Sequence, residues 1–250
     1  MTGRLTDKVA VVTGGTTGIG LSVATRFAAE GAAVFVTGRR QAELDGAIAA
    51  IGPGAVGVRA DMSVLADIDR LYDAVRQRHA GIDVVVANAG GGDFAPLGAV
   101  TEEQYERTFG TNVKGTIFTV QKALPLLVDG ASVILTGSTT SIKGTPAFSV
   151  YGATKAAVRN LARSWMLDLK ERRIRVNVIS PGPVETPGLL GLAADAEQER
   201  QLRTGLVASV PLGRLGRPEE IASMALFLAS EEASFVNGAE LFVDGGAAQF

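Results

Sequence analysis

Seven short runs of apolar and β-branched residues recur along the chain, and most are separated by longer segments with helical spacing of apolar residues. Near-continuous apolar strands that alternate with helices are typical of a parallel sheet covered on both faces. We therefore predict an α/β fold: a doubly wound, parallel, seven-stranded sheet with helices on both faces. The predicted strands span residues 9–13, 33–37, 56–59, 82–87, 132–136, 175–179 and 240–243.

The chain length and apolar content predict a single domain over residues 1–250. Of the 250 residues 46% are hydrophobic, which is enough for one sizeable core. The sequence shows no linker, repeat or low-complexity tract. The loosest stretch is 186–207, where an apolar start gives way to polar residues, and we expect it to form a lid that moves with the substrate.

Charge and residue usage exclude several kinds of partner. The net charge of −2 is spread without a basic patch, so we expect no nucleic acid partner. With no cysteine and one histidine, we expect no metal site. No apolar run reaches the ~18 residues of a membrane span, and the first residues lack the apolar core of a signal peptide. We expect a cytoplasmic protein without a membrane partner.

A glycine-rich turn joins the first predicted strand to the first helix. Its sequence TGGTTGIG follows the pattern G-x-x-x-G-x-G, not the commoner G-x-G-x-x-G. A glycine cluster alone often marks an ordinary turn, but the order strand, turn, helix lets backbone amides and a helix N-terminus approach a phosphate. The candidate cofactor residues of this turn are Gly14, Thr16, Thr17, Gly18, Ile19 and Gly20.

Two arginines, Arg39 and Arg40, follow the second predicted strand, where dinucleotide folds that bind NAD carry an acid. An arginine at this place suits the 2′-phosphate of NADP. We therefore predict NADP(H) as the preferred cofactor, with Arg39 the better candidate, and NAD(H) as possible. The alternative is a pair of solvated arginines at a helix start.

The third and fourth predicted strands end in further candidate cofactor contacts. Asp61 is suited to accept a hydrogen bond from an adenine amino group, although it can instead cap the next helix together with Ser63. Small residues after the fourth strand permit close approach of a flat ring, and Asn88 can equally brace neighbouring strands. The candidates at these two ends are Asp61, Met62, Asn88, Ala89 and Gly90.

The chemistry-bearing stretch lies between Ser138, at the end of the fifth predicted strand, and Lys155. Tyr151 and Lys155 are four residues apart, so a helix places them on one face. An ammonium beside a phenol favours the phenolate, which makes Tyr151 a tunable acid or base. Asn112 interrupts a long helical segment that begins at a capping-box pattern, Thr101 to Gln104, and its polarity alone favours a solvent-facing position.

Taken in order, these motifs resemble those of the short-chain dehydrogenase/reductase family, and the resemblance covers essentially the whole chain. The matching segments are TGGTTGIG at 13–20, ANAG at 87–90 with Ala87 in place of asparagine, Asn112, Ser138, Tyr151 with Lys155, PGPVET at 181–186, and Asp244-Gly245-Gly246. The resemblance implies a Rossmann fold and reversible hydride transfer between a nicotinamide and a carbonyl group.

The resemblance also implies residue roles. Tyr151 donates the proton, Ser138 holds the carbonyl oxygen, Lys155 lowers the pKa of Tyr151 and binds the nicotinamide ribose, and Asn112 holds a water that links Lys155 to solvent. The catalytic residues are thus Asn112, Ser138, Tyr151 and Lys155. Further cofactor contacts carried over are Ile19, Asn88, Gly90, Val113, Pro181, Gly182, Val184 and Thr186, together with Tyr151 and Lys155.

The substrate pocket is predicted to be mostly apolar, which favours a small to medium ketone or secondary alcohol. Its candidate residues are Phe94, Ser138, Thr140, Phe148, Tyr151 and Leu189. The function is therefore interpreted as an NADPH-dependent ketone reductase. An NAD-dependent alcohol or sugar dehydrogenase and, more remotely, a non-enzymatic dinucleotide-binding protein stay open. An enoyl reductase is disfavoured, since that related group spaces its tyrosine and lysine more widely.

Quaternary structure is predicted from the same resemblance. The family commonly forms tetramers through the long helices that match residues 101–127 and 150–172. We accordingly expect a homotetramer, to which the apolar tail at residues 247–250 contributes packing.

Overall fold

The computed structural model describes residues 3–249, and its centre is a parallel sheet. The sheet formed by this part of the chain has seven strands in the order β3-β2-β1-β4-β5-β6-β7. The predicted doubly wound Rossmann fold is therefore confirmed. The strands are β1 Val9–Val12, β2 Ala33–Gly38, β3 Val56–Arg59, β4 Ile82–Ala87, β5 Leu127–Thr136, β6 Arg175–Pro181 and β7 Glu240–Val243.

Helices cover both faces of the sheet, as the alternating pattern predicts. Their bounds within residues 3–249 are α1 Gly18–Ala29, α2 Gln41–Ile51, α3 Leu65–Arg76, α4 Glu102–Phe109, α5 Gly115–Ala123, α6 Ser149–Asp168, α7 Pro187–Leu190, α8 Ala196–Ala208 and α9 Pro218–Ala229. Within this part of the chain, no helix is both long and apolar enough to cross a bilayer.

The strands bury side chains on both faces, which is why their sequences are nearly all apolar. In β1, Val9 and Val11 face one core, with α3, α5 and α6. Ala10 and Val12 face the other, with α1, α2 and α9. The two-residue period of a strand distributes these side chains between the two layers.

Strand order reverses between β1 and β4, which are direct neighbours through Val11 and Val85. In such sheets the crossovers on either side of the reversal run over opposite faces and leave a crevice at the carboxyl ends of the strands. The glycine turn after β1 and the Asn88 segment after β4 both lie at this crevice.

Two segments differ from the sequence-based expectation. Strand β5 begins at Leu127, five residues before the predicted start. Its first residue pairs with Ile82 of β4 beyond a register shift, and such backbone pairing does not require apolar side chains. The segment 186–207, predicted to be a loose loop, is mostly helical, although α8 has no fully buried residue. Phe250 of the predicted interface tail lies outside the described residues.

Candidate active site

A cleft of about 810 Å³ runs along the carboxyl ends of the central strands. All the residues predicted to bind cofactor or substrate or to act in catalysis line it, except Val113. Val113 follows Asn112, which does line the cleft. The contact of Val113 with the cofactor therefore stays a prediction.

The glycine turn presents the start of α1 to this cleft. Gly14 has φ +64°, and a Cβ there would lie 2.9 Å from the Ala89 Cα, so the turn requires glycine. The first turn of α1 contains no acidic side chain, and Thr17 provides no side-chain cap. The positive end of the helix therefore faces the cleft uncapped, which fits a bound pyrophosphate.

Asn88 braces the strand ends around this turn. Its Nδ2 donates to the carbonyl oxygens of Thr13 at 3.0 Å and Gly14 at 3.2 Å, and its Oδ1 accepts from Thr136 Oγ1 at 3.3 Å. The side chain thus ties together the ends of β1, β4 and β5. Of the two interpretations left open by the sequence, the structure shows the bracing interaction.

Arg39 and Arg40 lie side by side but differ in their contacts. Arg40 pairs with Glu43 at 2.5 Å. Within residues 3–249, the guanidinium group of Arg39 forms no hydrogen bond or ion pair. Arg39 borders a small pocket of about 450 Å³ beside the main cleft, where Arg59 is a second exposed arginine. Arg70, Asp61 and Asp67 line the same small pocket, so three arginines face two aspartates there.

Asp61 lies in the same small pocket and faces Ser63. Its Oδ1 accepts from the Ser63 amide at 2.8 Å and from Ser63 Oγ at 2.7 Å, whereas α3 begins after Val64 without a side-chain cap. Neither Asp61 nor Ser63 caps α3, so that alternative is wrong. Within the described chain, Oδ2 of Asp61 accepts no hydrogen bond and keeps its capacity for an adenine amino group.

Ser138 and Tyr151 meet where β5 delivers its last residues to the cleft. Ser138 is buried at the start of a short 3₁₀ turn, and its Oγ lies 3.0 Å from Thr140 Oγ1. Burial raises the pKa of Tyr151 to about 12, while a hydrogen bond with Ser138 acts in the opposite direction. The phenol is therefore held protonated, which suits a proton donor.

Lys155 is almost fully buried, with 4% of its surface exposed. Its Nζ donates to the Thr136 carbonyl at 2.8 Å, and burial lowers the pKa of Lys155 to about 8. The sequence predicts that this ammonium lowers the pKa of Tyr151. In the structure the pKa of Tyr151 lies above its ordinary value, because burial of the phenol outweighs the hydrogen bond with Ser138, which lowers the pKa.

Asn112 is buried, in contrast to the solvent-facing position that its polarity favours. It lies in a π-helical turn, Gly110–Lys114, between α4 and α5. The side chain accepts from the Gly91 amide at 3.0 Å and donates to the Gly91 carbonyl and to Thr154 Oγ1, both at 2.9 Å. The widened turn thus lets a mid-helix amide hold the loop after β4 against α6.

The substrate side of the cleft is a row of aromatic rings faced by aliphatic side chains. The Phe148 ring stacks on Tyr151 at 4.5 Å and contacts Phe94 at 4.7 Å, as measured between centroids. Leucines from α7 and α8 and the segment between them complete the wall. They are Leu189, Leu192, Leu202 and Leu206.

Comparison with known proteins places this geometry in a family. The family model described as Enoyl-(Acyl carrier protein) reductase matches residues 14–248. Oxidoreductase asL5 of Sarocladium schorii is 51% identical over 98% of both chains. The chain belongs to the short-chain dehydrogenase/reductase family. It is accordingly an NAD(P)-dependent oxidoreductase.

Other members of the short-chain dehydrogenase/reductase family share the full length of this chain. The NADP-dependent (R)-specific alcohol dehydrogenase of Lentilactobacillus kefiri is 37% identical over 98% of both chains. The structure of 3-ketoacyl-(acyl-carrier-protein) reductase from Brucella melitensis complexed with NADH superposes with a TM-score of 0.90. It is 32% identical and covers 98% of this chain and 99% of its own.

Several lining residues of this short-chain dehydrogenase/reductase were missed by sequence reasoning. Gly92 lies against Tyr151, since a Cβ there would come within 2.7 Å of the ring. Arg107 reaches the cleft from α4 and pairs with Asp93 at 2.5 Å. Ala247 is buried there, and its carbonyl accepts from Lys143 Nζ at 2.7 Å. Among these residues, only Gly92 had a signal in the sequence, namely the pair of glycines that follows Gly90.

Proposed function

We propose that the protein is an NADPH-dependent reductase that converts a small to medium, largely apolar ketone to a secondary alcohol, reversibly. The observation that carries this proposal is the hydrogen-bonded pair of Ser138 and Tyr151, with Lys155 buried beside it. Two hydroxyl groups that converge in a partly apolar cleft are suited to bind one carbonyl oxygen.

The residues divide the work of reduction between them. A reduced nicotinamide, when bound, supplies the hydride to the carbonyl carbon. The Ser138 hydroxyl donates a hydrogen bond to the carbonyl oxygen and orients it. The Tyr151 phenol transfers its proton to that oxygen as negative charge develops there. Lys155 stabilises the resulting phenolate by direct charge attraction.

Asn112 is our candidate for the route by which the proton is replaced. A Cβ built on Gly90 would lie 2.9 Å from Asn112 Oδ1 and 3.5 Å from Lys155 Nζ, so both side chains face the same small residue. Asn112 Oδ1 accepts one hydrogen bond from Gly91 and has capacity for another. A water bound there would connect Lys155 to solvent.

The preference for NADPH rests on the basic end of the cleft. Asp67 pairs with Arg70 at 2.8 Å, and the Asp61 amide holds the pKa of Asp67 below its usual value. That carboxylate is thereby engaged, which leaves Arg39 available to bind a 2′-phosphate. The NADP-dependent alcohol dehydrogenase among the relatives supports this choice, whereas the NADH complex of the ketoacyl reductase keeps NAD(H) as the alternative.

The apolar wall supports a ketone in preference to a sugar. A polyol would bury several hydroxyl groups against the rings of Phe94 and Phe148 and the α8 leucines, which cannot form hydrogen bonds with them. An apolar ketone needs a single polar contact, which Ser138 and Tyr151 provide. We propose that segment 186–207 closes over such a substrate.

We also propose that the protein assembles as a homotetramer. Leu167 on α6 is 62% exposed and Tyr105 on α4 is 43% exposed, and both belong to the helices predicted to form the interface. Exposed large apolar side chains on one pair of helices are typical of contacts between subunits. Native mass spectrometry would test this, and a monomer at micromolar concentration would contradict it.

The experiment that tests the function is a panel of ketones and alcohols assayed with NADPH, NADP, NADH and NAD. We expect the highest kcat/KM for an apolar ketone with NADPH. Tyr151→Phe should reduce turnover by about 1,000-fold or more and still bind NADPH, since it removes the proton donor and keeps the ring. Undiminished turnover in that variant would overturn the mechanism.

A further inference from the structure

Glu240 is a carboxylate buried directly behind the active site. It lies on β7, and 8% of its side chain is exposed. Its Oε1 accepts from Ser180 Oγ at 2.7 Å and from Ser141 Oγ at 2.9 Å. Its Oε2 lies 3.8 Å from Arg159 Nε. One buried side chain thereby contacts a strand, a turn and a helix that all reach the cleft.

A carboxylate is a costly choice at this place in a strand. Removing an ionised group from water is unfavourable unless hydrogen bonds and an opposite charge compensate. Its neighbours in β7 along the sequence, Leu241 to Val243, are apolar, and an apolar residue would pack at position 240 without that cost. The contacts of Glu240 therefore indicate the role of its carboxylate.

The first partner belongs to the turn that carries Ser138. Ser141 ends this turn, and its amide donates to the Ser138 carbonyl at 2.9 Å. The Ser138 hydroxyl lies within the same turn, next to Thr140 Oγ1. Fixing the Ser141 side chain on Glu240 therefore fixes the far end of the segment that orients the Ser138 hydroxyl.

The second and third partners act on the flanks of the same turn. Ser180 Oγ packs against Gly137, since a Cβ built on Gly137 would lie 2.4 Å from it. Arg159 lies one helical turn after Lys155 on α6. Glu240 thus contacts Ser138's segment directly at Ser141 and indirectly, through Ser180, beside Gly137. It also reaches toward the helix that supplies Tyr151 and Lys155.

We propose that Glu240 is a positioning residue for Ser138: its carboxylate binds the Ser141 and Ser180 hydroxyls and so holds the Ser138 hydroxyl where the carbonyl oxygen is bound. This inference rests on the proposed function, because Ser138 must act on substrate for its orientation to affect turnover. Glu240 itself is not among the residues that line the cleft, so its loss is expected to lower kcat and to leave the Kd for NADPH unchanged.

A double-mutant cycle between Glu240 and Ser138 tests the proposal. In the wild-type background, Ser138→Ala should lower kcat by about 100-fold, the typical effect of losing one oxyanion donor. In the Glu240→Leu background the same change should cost less than about tenfold, because the hydroxyl is no longer held in position. An equal cost of Ser138→Ala in both backgrounds would overturn the inference.

Two further variants separate positioning from general stability. In Glu240→Gln the amide oxygen can still accept from both serines, so the full cost of Ser138→Ala should return. Ser141→Ala, run through the same cycle, should behave like Glu240→Leu and provides the test if Glu240→Leu does not fold. A full Ser138→Ala cost in Ser141→Ala would contradict the proposal.

The matched control is Ser132→Ala. Ser132 is buried, like Ser141, and lies on β5, but its hydroxyl donates to the Leu228 carbonyl at 2.8 Å, at the opposite end of the strand from Ser138. Its loss should lower the melting temperature with kcat within about twofold of wild type. If Ser138→Ala had no effect on kcat even in the wild type, the proposed function would fail, and the positioning inference would fall with it.

Discussion

The Nζ of Lys155 lies 5.5 Å from the centroid of the Tyr151 ring, in a part of the cleft where burial acts on both groups. Burial raises the pKa of Tyr151 to about 12 and lowers that of Lys155 to about 8. Each group is thus held closer to its neutral form than it would be in water. The pH dependence of both stability and catalysis follows from this pair.

The first prediction concerns stability. Because the pKa of Lys155 is about 8 in the native state and 10.5 for an ordinary lysine, the native state releases this proton first as pH rises. The unfolding free energy therefore rises with pH between about 8 and 10.5, as the buried lysine becomes neutral. This gain is complete above pH 10.5 and is lost as pH falls to 8. Compared with Lys155→Met, the wild type should gain about 2 kcal/mol of unfolding free energy between pH 7.5 and pH 9.5.

Urea unfolding at the two pH values measures this difference, and groups common to both proteins cancel in the comparison. Lys114→Met provides the control, since Lys114 is exposed in the π-helical turn and its removal should leave the pH dependence of the wild type intact. Parallel pH curves for wild type and Lys155→Met would refute the prediction.

The second prediction concerns the two directions of turnover. Reduction needs a protonated Tyr151, and a pKa of about 12 keeps it protonated across the working range. The rate of reduction should therefore stay level up to about pH 8 and decline as Lys155 loses its charge. Oxidation needs the phenolate, so its rate should rise steadily toward pH 10. Identical pH profiles of kcat/KM in the two directions would be inconsistent with this assignment.

The third prediction concerns the choice of cofactor. Arg39→Asp replaces an arginine whose guanidinium group forms no hydrogen bond or ion pair within residues 3–249 by a carboxylate that repels a 2′-phosphate. The KM for NADPH should rise by about 10- to 100-fold, the value of one charge-assisted hydrogen bond, while the KM for NADH falls or stays constant. Steady-state kinetics with both cofactors provides the measurement.

Arg40→Ala is the control for this change, because Arg40 is engaged with Glu43. It should alter both KM values by less than about threefold, as expected for a surface ion pair. If Arg40→Ala affected NADPH more strongly than Arg39→Asp, the assignment of the phosphate contact would pass to Arg40.

Local patterns were sufficient to predict the sheet. A parallel strand that is buried on both faces needs apolar side chains at nearly every position, so it appears in the sequence as a short apolar run. The predicted bounds of the strand at 82–87 therefore match those of β4. The π-helical turn at Gly110–Lys114 was not foreseeable, because the pattern on either side is that of one continuous helix. The turn exists to admit Asn112, whose partners, Gly91 and Thr154, are 21 and 42 residues away.

Site residues could be predicted from the sequence where a motif directly follows a strand. They could not be predicted where contacts between distant parts of the chain determine a residue's position or pKa. The residues at strand ends meet because parallel strands share one edge. In contrast, Glu240 is 60 residues from Ser180 and 99 from Ser141, and its sequence context suggests an exposed strand residue. The displaced pKa of Tyr151 likewise depends on burial, which the four-residue spacing to Lys155 does not specify.

The fourth prediction concerns substrate size. Phe148 lies between the rings of Phe94 and Tyr151 and forms the flat wall of the pocket. Phe148→Ala should raise the KM for a bulky aromatic ketone by about tenfold or more, since a lost aromatic contact is worth roughly 1–2 kcal/mol. The KM for acetone should change little. Phe109→Ala is the control, because Phe109 packs on Tyr105 and does not line the cleft. Equal effects on both ketones would contradict the role of Phe148.

The last prediction concerns Asn112 as a structural tie. Asn112→Ala removes three hydrogen bonds, to the amide and carbonyl of Gly91 and to the Thr154 hydroxyl, and a typical intramolecular hydrogen bond contributes about 0.5–1.5 kcal/mol to stability. Alanine has a higher helix propensity than asparagine, which offsets this loss of unfolding free energy by about 0.6 kcal/mol. The unfolding free energy should therefore fall by about 2 kcal/mol or more in urea.

Asn160 on α6 provides the matched comparison, since it is also an asparagine in a helical segment but is exposed. Asn160→Ala should be neutral or slightly stabilising, because only the propensity difference acts there. The contrast between the two variants isolates burial and pairing from residue type. Equal changes in the two would mean that Asn112 contributes no more than an ordinary helical asparagine, and the π-helical turn would then need another explanation.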